Sequence, residues 1–104
     1  MNGLVTRHED ESAGHRHARL QSLILEELRS LLRDDVSDPA LGDVLVTAVV
    51  LSIDYRHARV HYTSAHRSRA EPALARATPF LRARLGEAID VKRVPDLRFV
   101  HDAG

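Results

Sequence analysis

Between Arg16 and Val36 the residues Leu20, Leu23, Ile24, Leu28, Leu31 and Leu32 recur at spacings of three and four, the pattern of an amphipathic helix with one apolar stripe. At about 1.5 Å per residue such a helix is roughly 30 Å long, the width of a small domain. Its stripe must be buried against another element, and the sequence offers one directly afterwards. Ser37-Asp38-Pro39 stops the helix, because the residue before a proline is pushed out of helical backbone, and Ala40, Leu41 and Gly42 turn the chain. Val44 to Ile53 (VLVTAVVLSI) is then dense in β-branched residues. Its continuous apolar character predicts a central strand, buried on both faces and flanked by two others.

After a polar turn from Asp54 to His57, Ala58, Val60 and Tyr62 alternate with Arg59, His61 and Thr63, which predicts the second arm of a β-hairpin with one wet face. Ser68 and Glu71 have the spacing of a capping box and predict the start of a second helix, with Pro72 in its first turn. Pro79 lacks the N–H that would bond to the Ala75 carbonyl, and its ring crowds that carbonyl. The segment therefore predicts a helix ending near Ala77, a kink, and a restart with Thr78 as N-cap and Pro79 as the first helical residue. Phe80, Leu81, Leu85, Ala88 and Ile89 are expected to form the inner stripe of the second half. Pro95 opens a last strand from Asp96 to His101, with Leu97 and Phe99 on one face and Arg98 and Val100 on the other. Residues 1–14, polar and aperiodic, predict a flexible N-terminal tail, leaving 15–104 as a single domain. The expected fold class is α+β, in the order α-β-β-α-(kink)-α-β with the helices on one face of a three-stranded mixed sheet, the connectivity of a type II KH-like domain.

A length of 104 residues suits one hydrophobic core. The absence of cysteine and tryptophan removes disulfides, thiolate metal sites and cysteine nucleophiles from consideration. No stretch approaches the roughly 20 apolar residues of a membrane span and residues 1–12 show no signal-peptide run, so a cytoplasmic chain with no membrane partner is expected. The formal net charge of zero hides a segregation: residues 1–54 hold 5 Arg against 10 Asp or Glu, and residues 55–98 hold 10 Arg or Lys against 4 acids. The basic half supplies candidate RNA-phosphate ligands in Arg67, Arg69, Arg76, Arg82, Arg84, Lys92, Arg93 and Arg98. A helix restart at Thr78 adds free N–H groups and a positive dipole end, making Ala77, Thr78 and Pro79 part of the expected site, flanked by Arg76 and Arg82.

The seven histidines point to no metal. His15 and His17 lie two residues apart on diverging helical azimuths, and no carboxylate or thiol completes a ligand spacing. His57 has no nucleophile or Gly-rich loop nearby in sequence, so a turn-stabilising hydrogen bond from Asp54 is expected instead. The adjacent carboxylates Glu26 with Glu27 and Asp34 with Asp35 suit solvated faces. With no catalytic set and no cofactor motif, the chain is expected not to be an enzyme. Tyr62 and Phe99, at alternating strand positions, are expected in the core rather than stacked on bases.

The order of these residues also resembles the ribosome-binding factor A family, over about Arg16 to Asp102. The resemblance is carried by Arg16, Arg19, Leu20, Ile24, Glu27 and Leu28, then Ser37-Asp38-Pro39, then Ser52, Asp54, His57, Ala58, Val60 and Tyr62. Arg82, Leu85 and Gly86 follow, and Pro95, Leu97, Phe99 and Asp102 close it in the family's Pro-x-Leu-x-Phe-x-x-Asp pattern. It implies a bacterial, non-enzymatic assembly factor that binds 16S rRNA within free, immature 30S subunits and promotes late maturation and rRNA processing. It further implies a monomer without a small-molecule substrate. In that family the helical break carries Ala-x-Gly where ordinary KH domains carry Gly-x-x-Gly, and the matching residues here are Ala77, Thr78 and Pro79, with proline in place of glycine. A second reading stays open beside this one: a KH-like protein-interaction module that adds a partner strand at the sheet edge, with the final strand as that edge.

Overall fold

The helical periodicity after Arg16 is realised in α1 (Asn2–Asp34). The computed structural model describes the backbone of residues 2–103 and the side chains of residues 15–103, so the side chains of the tail expected over 1–14 lie outside the description. Leu20, Ile24, Leu28, Leu31 and Leu32 are buried, Leu28 completely, whereas Leu23 is 42% exposed. The stripe follows the 20-24-28-31 row, and Leu23 sits on its rim. Past α1, Asp38 accepts a hydrogen bond from the Ala40 N–H at 2.9 Å and starts a single 3₁₀ turn, Pro39–Leu41, which tucks Leu41 into the core.

The sheet has the order β1-β2-β3, with β1 (Leu45–Leu51) antiparallel to β2 (His57–Thr63) and β3 (Asp96–His101) parallel to β2. The central strand is therefore β2, and the expectation that the VLVTAVVLSI run would be central is corrected: β1 is an edge. Its unbroken apolar character has another cause. The register shifts between Val46 and Ala48, leaving Thr47 as an extra residue, so the inward set changes phase and becomes Val46, Val49 and Leu51. Leu45, Val50 and Ile53 are exposed.

The outer edge of β1 is met by side chains of α1. Gln21 Oε1 accepts from the Leu51 N–H at 2.9 Å, His17 Nε2 donates to the Leu51 carbonyl at 2.9 Å, and Arg29 Nε donates to the Val46 carbonyl at 2.8 Å. These contacts satisfy backbone groups that an open edge would offer to another strand.

A parallel neighbour for β2 requires a crossover, and α2 (Arg67–Ala88) supplies it as one helix. The expected break and restart are thus corrected: helix continues through Pro72 and Pro79. Ala70, Ala73 and Leu74 before Pro79, and Leu81 and Leu85 after it, are all buried, so core packing on both sides holds the backbone helical despite the missing N–H. Thr78 is no N-cap. Its hydroxyl donates to the Leu74 carbonyl at 2.8 Å, back into the preceding turn. The expected capping box is also replaced. The N-cap is His66, without a side-chain cap bond, and Glu71 accepts from Arg67 Nε at 2.7 Å. In the second half Phe80 is 40% exposed and Ala88 is exposed, against expectation, while Ile89 packs on the core.

Both helices cover one face of the sheet. Ala58, Val60 and Tyr62 of β2 are fully buried there, and their β3 register partners Leu97, Phe99 and His101 share that face. Tyr62 meets Phe99 edge-on at 6.4 Å and His101 at 5.3 Å, a core role as expected, and burial pushes its phenol pKa up. Truncation of the fully enclosed Leu28 to alanine is expected to cost about 2–5 kcal/mol, measured as a lower urea midpoint with an unchanged slope.

Candidate nucleic-acid interface

The turn between β1 and β2 is built by side chains. The Tyr55 N–H bonds to the Ser52 carbonyl at 3.0 Å, and the Ser52 N–H to the His57 carbonyl at 2.8 Å. Asp54 Oδ1 accepts from the Ser52 hydroxyl at 2.7 Å and from the Arg56 N–H at 3.1 Å, which together hold its carboxyl below the usual range. The expected Asp54 to His57 bond is not formed. The His57 N–H donates to Ser52 Oγ instead, and its ring lies 3.9 Å from Asp96. The turn places Tyr55 at φ +66°, with its ring 5.4 Å from that of His17 on α1.

The segment after α2 comes back against this end of the molecule. A Cβ on Gly86 would stand 3.1 Å from Val94 Cγ2, so glycine permits the close approach of helix and returning loop. Arg82 fixes that loop. Its Nη2 donates to the Val94 carbonyl at 2.9 Å, its Nε to the Pro95 carbonyl at 3.2 Å, and Nη2 lies 3.5 Å from Asp96 Oδ1.

Between α1, the hairpin tip and this loop lies an open cleft of about 680 Å³. Leu20, Leu23, Tyr55, Ile89 and Val91 give it an apolar floor, and Arg16, Arg19, Arg56, Lys92 and Arg93 line it against only two acids, Asp54 and Asp90. Around the hairpin, on the sheet face away from the helices, Arg59 and Arg98 are cross-strand neighbours bordering a smaller hollow with Val50 and His57. Like charges so placed repel one another, a cost that a bound anion would relieve.

Of the residues expected at the site, Lys92 and Arg93 line the cleft and Arg98 lies on the adjoining sheet face. The others are elsewhere. Arg67 pairs with Glu71 at 2.7 Å, Arg76 with Asp38 at 3.4 Å, and Arg84 with Asp35 at 3.1 Å and Glu87 at 3.2 Å. The Arg84 guanidinium also stands 5.7 Å over the Phe80 ring. Arg69 is exposed in the first turn of α2. Ala77 and Thr78 are half-buried mid-helix and Pro79 is exposed. Because α2 does not restart, no second helix N-terminus exists there to offer N–H groups to a phosphate. Arg16, Arg19, Arg56 and Arg59 were absent from the sequence-based set. The first two were masked by the acidic sum of their half of the chain, although their i, i+3 spacing places them on one helix face. Among the described residues, no carboxylate lies within 4.0 Å of Arg16, Arg19, Arg56, Arg59, Lys92, Arg93 or Arg98 in the ion pairs formed. The described residues also bring together no three His, Cys, Asp or Glu side chains able to hold a metal ion.

A family model described as ribosome-binding factor A matches residues 16–104. The chain belongs to the ribosome-binding factor A family. Ribosome-binding factor A of Heliobacterium modesticaldum is 45% identical over 94 residues, covering 86% of this chain and 78% of the relative. The crystal structure of ribosome-binding factor A from Thermus thermophilus superposes with a TM-score of 0.77 at 29% identity, over 82% of this chain and 93% of that one. A homology model of the Thermus thermophilus factor, fitted into a cryo-EM map of a 30S complex, matches at 30% identity with a TM-score of 0.59, covering 84% of this chain and 91% of that one.

The family's closing pattern has a physical reading here. Pro95 is buried and clamped by Arg82 through its carbonyl, and Leu97 and Phe99 face the core. Asp102 then ties the sheet together from outside. It accepts from the hydroxyl of the bulge residue Thr47 at 2.8 Å and from His61 Nδ1 at 2.9 Å. These two bonds, Thr47 first, hold its carboxyl below the usual carboxylate range. A carboxylate with a depressed folded pKa contributes stability above its unfolded pKa and loses it as pH falls through the folded one. The stability difference between the wild type and Asp102→Asn is therefore expected to shrink as pH is lowered from about 5 to about 2, followed by urea unfolding at each pH. Arg82→Ala, which strips two carbonyls of their donors, is expected to cost about 1–3 kcal/mol in the same assay.

Proposed function

We propose that this protein is a non-catalytic ribosome assembly factor, a cytoplasmic monomer that binds 16S rRNA within the immature 30S subunit and promotes its late maturation and rRNA processing. The observation that carries this reading is the convergence of Arg16, Arg19, Arg56, Lys92 and Arg93 on one cleft, continued around the hairpin by Arg59 and Arg98. Five cations facing two carboxylates suit a polyanion, and in a chain of net charge zero this cleft is where positive charge is concentrated. The 30S complex of the related Thermus thermophilus factor supports the same partner. Arg69 is an exposed cation in the first turn of α2, at the other end of β2 from the hairpin tip, and would meet phosphate there independently of the cleft. Arg67, Arg76 and Arg84 hold exposed ion pairs that are worth little in water, so a phosphate can replace the carboxylate on each. Ala77, Thr78 and Pro79 contribute shape at mid-helix rather than backbone donors.

Sedimentation of cell extract tests the partner and the stage. The protein is expected in the free small-subunit fractions and not with complete ribosomes. Lys92→Glu with Arg93→Glu is expected to remove it from those fractions with no change in melting temperature. If five cations contact phosphates, log affinity for small-subunit RNA should fall against log salt with a slope of about −3.5 to −4.5, flattened in the double variant. A salt-independent affinity would contradict the proposal.

A further inference from the structure

The basic rim of the cleft accounts for phosphate binding, but not its floor. Leu20, Leu23, Ile89 and Val91 are apolar, and Tyr55 stands beside them on the hairpin tip. An A-form duplex keeps its bases stacked and offers a protein phosphates and 2′-hydroxyl groups, so over this floor it would leave the apolar surface facing water. Tyr55 adds an independent observation. It holds φ +66°, a conformation that glycine or asparagine adopts readily and a bulky aromatic does not. The local turn is already secured by Ser52 and Asp54, neither of which requires an aromatic ring at the next position. The half-buried ring packs partly on the core and lines the positively charged cleft, its centroid 5.4 Å from that of a second ring, His17.

We infer that this cleft receives single-stranded RNA, with one or two unstacked bases on the apolar floor against Tyr55 and the flanking phosphates on the arginine and lysine rim. The inference rests on the ribosomal RNA reading above and narrows it to a nucleic-acid form and a place. The place is separate from the mid-helix segment Ala77–Pro79, none of which lines the cleft. Base-on-aromatic stacking tolerates any sequence, because every base presents a π face. The cleft therefore selects for unpaired structure more than for a particular base. An apolar protein segment would bury the floor equally well, yet would leave five cations without counter-charge.

The test uses the whole chain with two fluorescein-labelled RNAs of equal length, one unstructured and one a closed hairpin duplex. The unstructured strand is expected to bind about tenfold tighter. The chain has two tyrosines and no tryptophan, and Tyr62 is fully buried. Quenching of tyrosine emission by the unlabelled strand therefore reports Tyr55 directly in the unaltered protein. Tyr55→Phe should hold single-strand affinity within about twofold, since the ring is kept. Tyr55→Gly, which suits the backbone, should lose about tenfold for the single strand and nothing for the duplex. Equal or tighter duplex binding, no quenching at saturation, or poly-glutamate competing as well as RNA would overturn the inference. If Tyr55→Gly keeps both its RNA affinity and its place with small subunits, the cleft assignment falls and the RNA-binding function stands. If neither RNA binds and the wild-type protein leaves the subunit fractions, both fall together.

Discussion

The backbone of β1 has no strand on its outer side, and the molecule is organised around supplying that side with partners. Both polar groups of Leu51 and the carbonyl of Val46 are satisfied by Gln21, His17 and Arg29, three side chains of α1. An unpaired buried peptide group costs enough that these bonds fix how α1 can lie. Once His17 and Gln21 are fixed on the end of β1, the rotation of the helix is set. Leu20 and Ile24 then face the core, and Arg16 and Arg19 are carried to the hairpin tip. A structural requirement of the sheet edge thereby positions half of the cationic rim.

The arginines of the basic half and the cleft fall into three groups by what surrounds them. Arg82 is bonded to two carbonyls and an aspartate, so it belongs to the scaffold of the loop before β3. Arg67, Arg76 and Arg84 are neutralised locally by exposed carboxylates. Arg16, Arg19, Arg56 and Arg93 gather at one end of the molecule, with Arg59 and Arg98 on the open sheet face. Asp35, Asp38, Glu71 and Glu87 are held in ion pairs with arginines of α2, away from the cleft.

Much of the architecture could be read from periodicity. The stripe of α1, the proline that opens β3 and the alternation of β2 are local signals, and each holds at its expected residues except Leu23, which lies on the rim of the stripe. Two features were not legible because they depend on partners remote in sequence. The extra residue at Thr47 makes an edge strand look like a central one, and only the register against β2 reveals it. Pro79 is a strong local breaker, but Leu74, Leu81 and Leu85 are held in one buried row by the sheet beneath, and that packing prevails over local propensity. The candidate site was legible where it follows the basic run, at Lys92, Arg93 and Arg98. It was not legible where the fold brings in Arg16, Arg19 and Arg56, because no sequence window contains both α1 and the hairpin tip.

The parallel pairing of β2 with β3 has a kinetic implication. The antiparallel hairpin closes a short loop, whereas β3 can dock only after the 22 residues of α2 have been laid across the sheet, a slower and less local closure. On this order the guanidinium of Arg82, gripping Val94 and Pro95, acts as a latch fastened last. Loosening a late latch chiefly accelerates unfolding, and damage to α1 or the hairpin chiefly retards folding, so the two arms of a chevron separate the parts of the molecule that assemble first from the one that locks them.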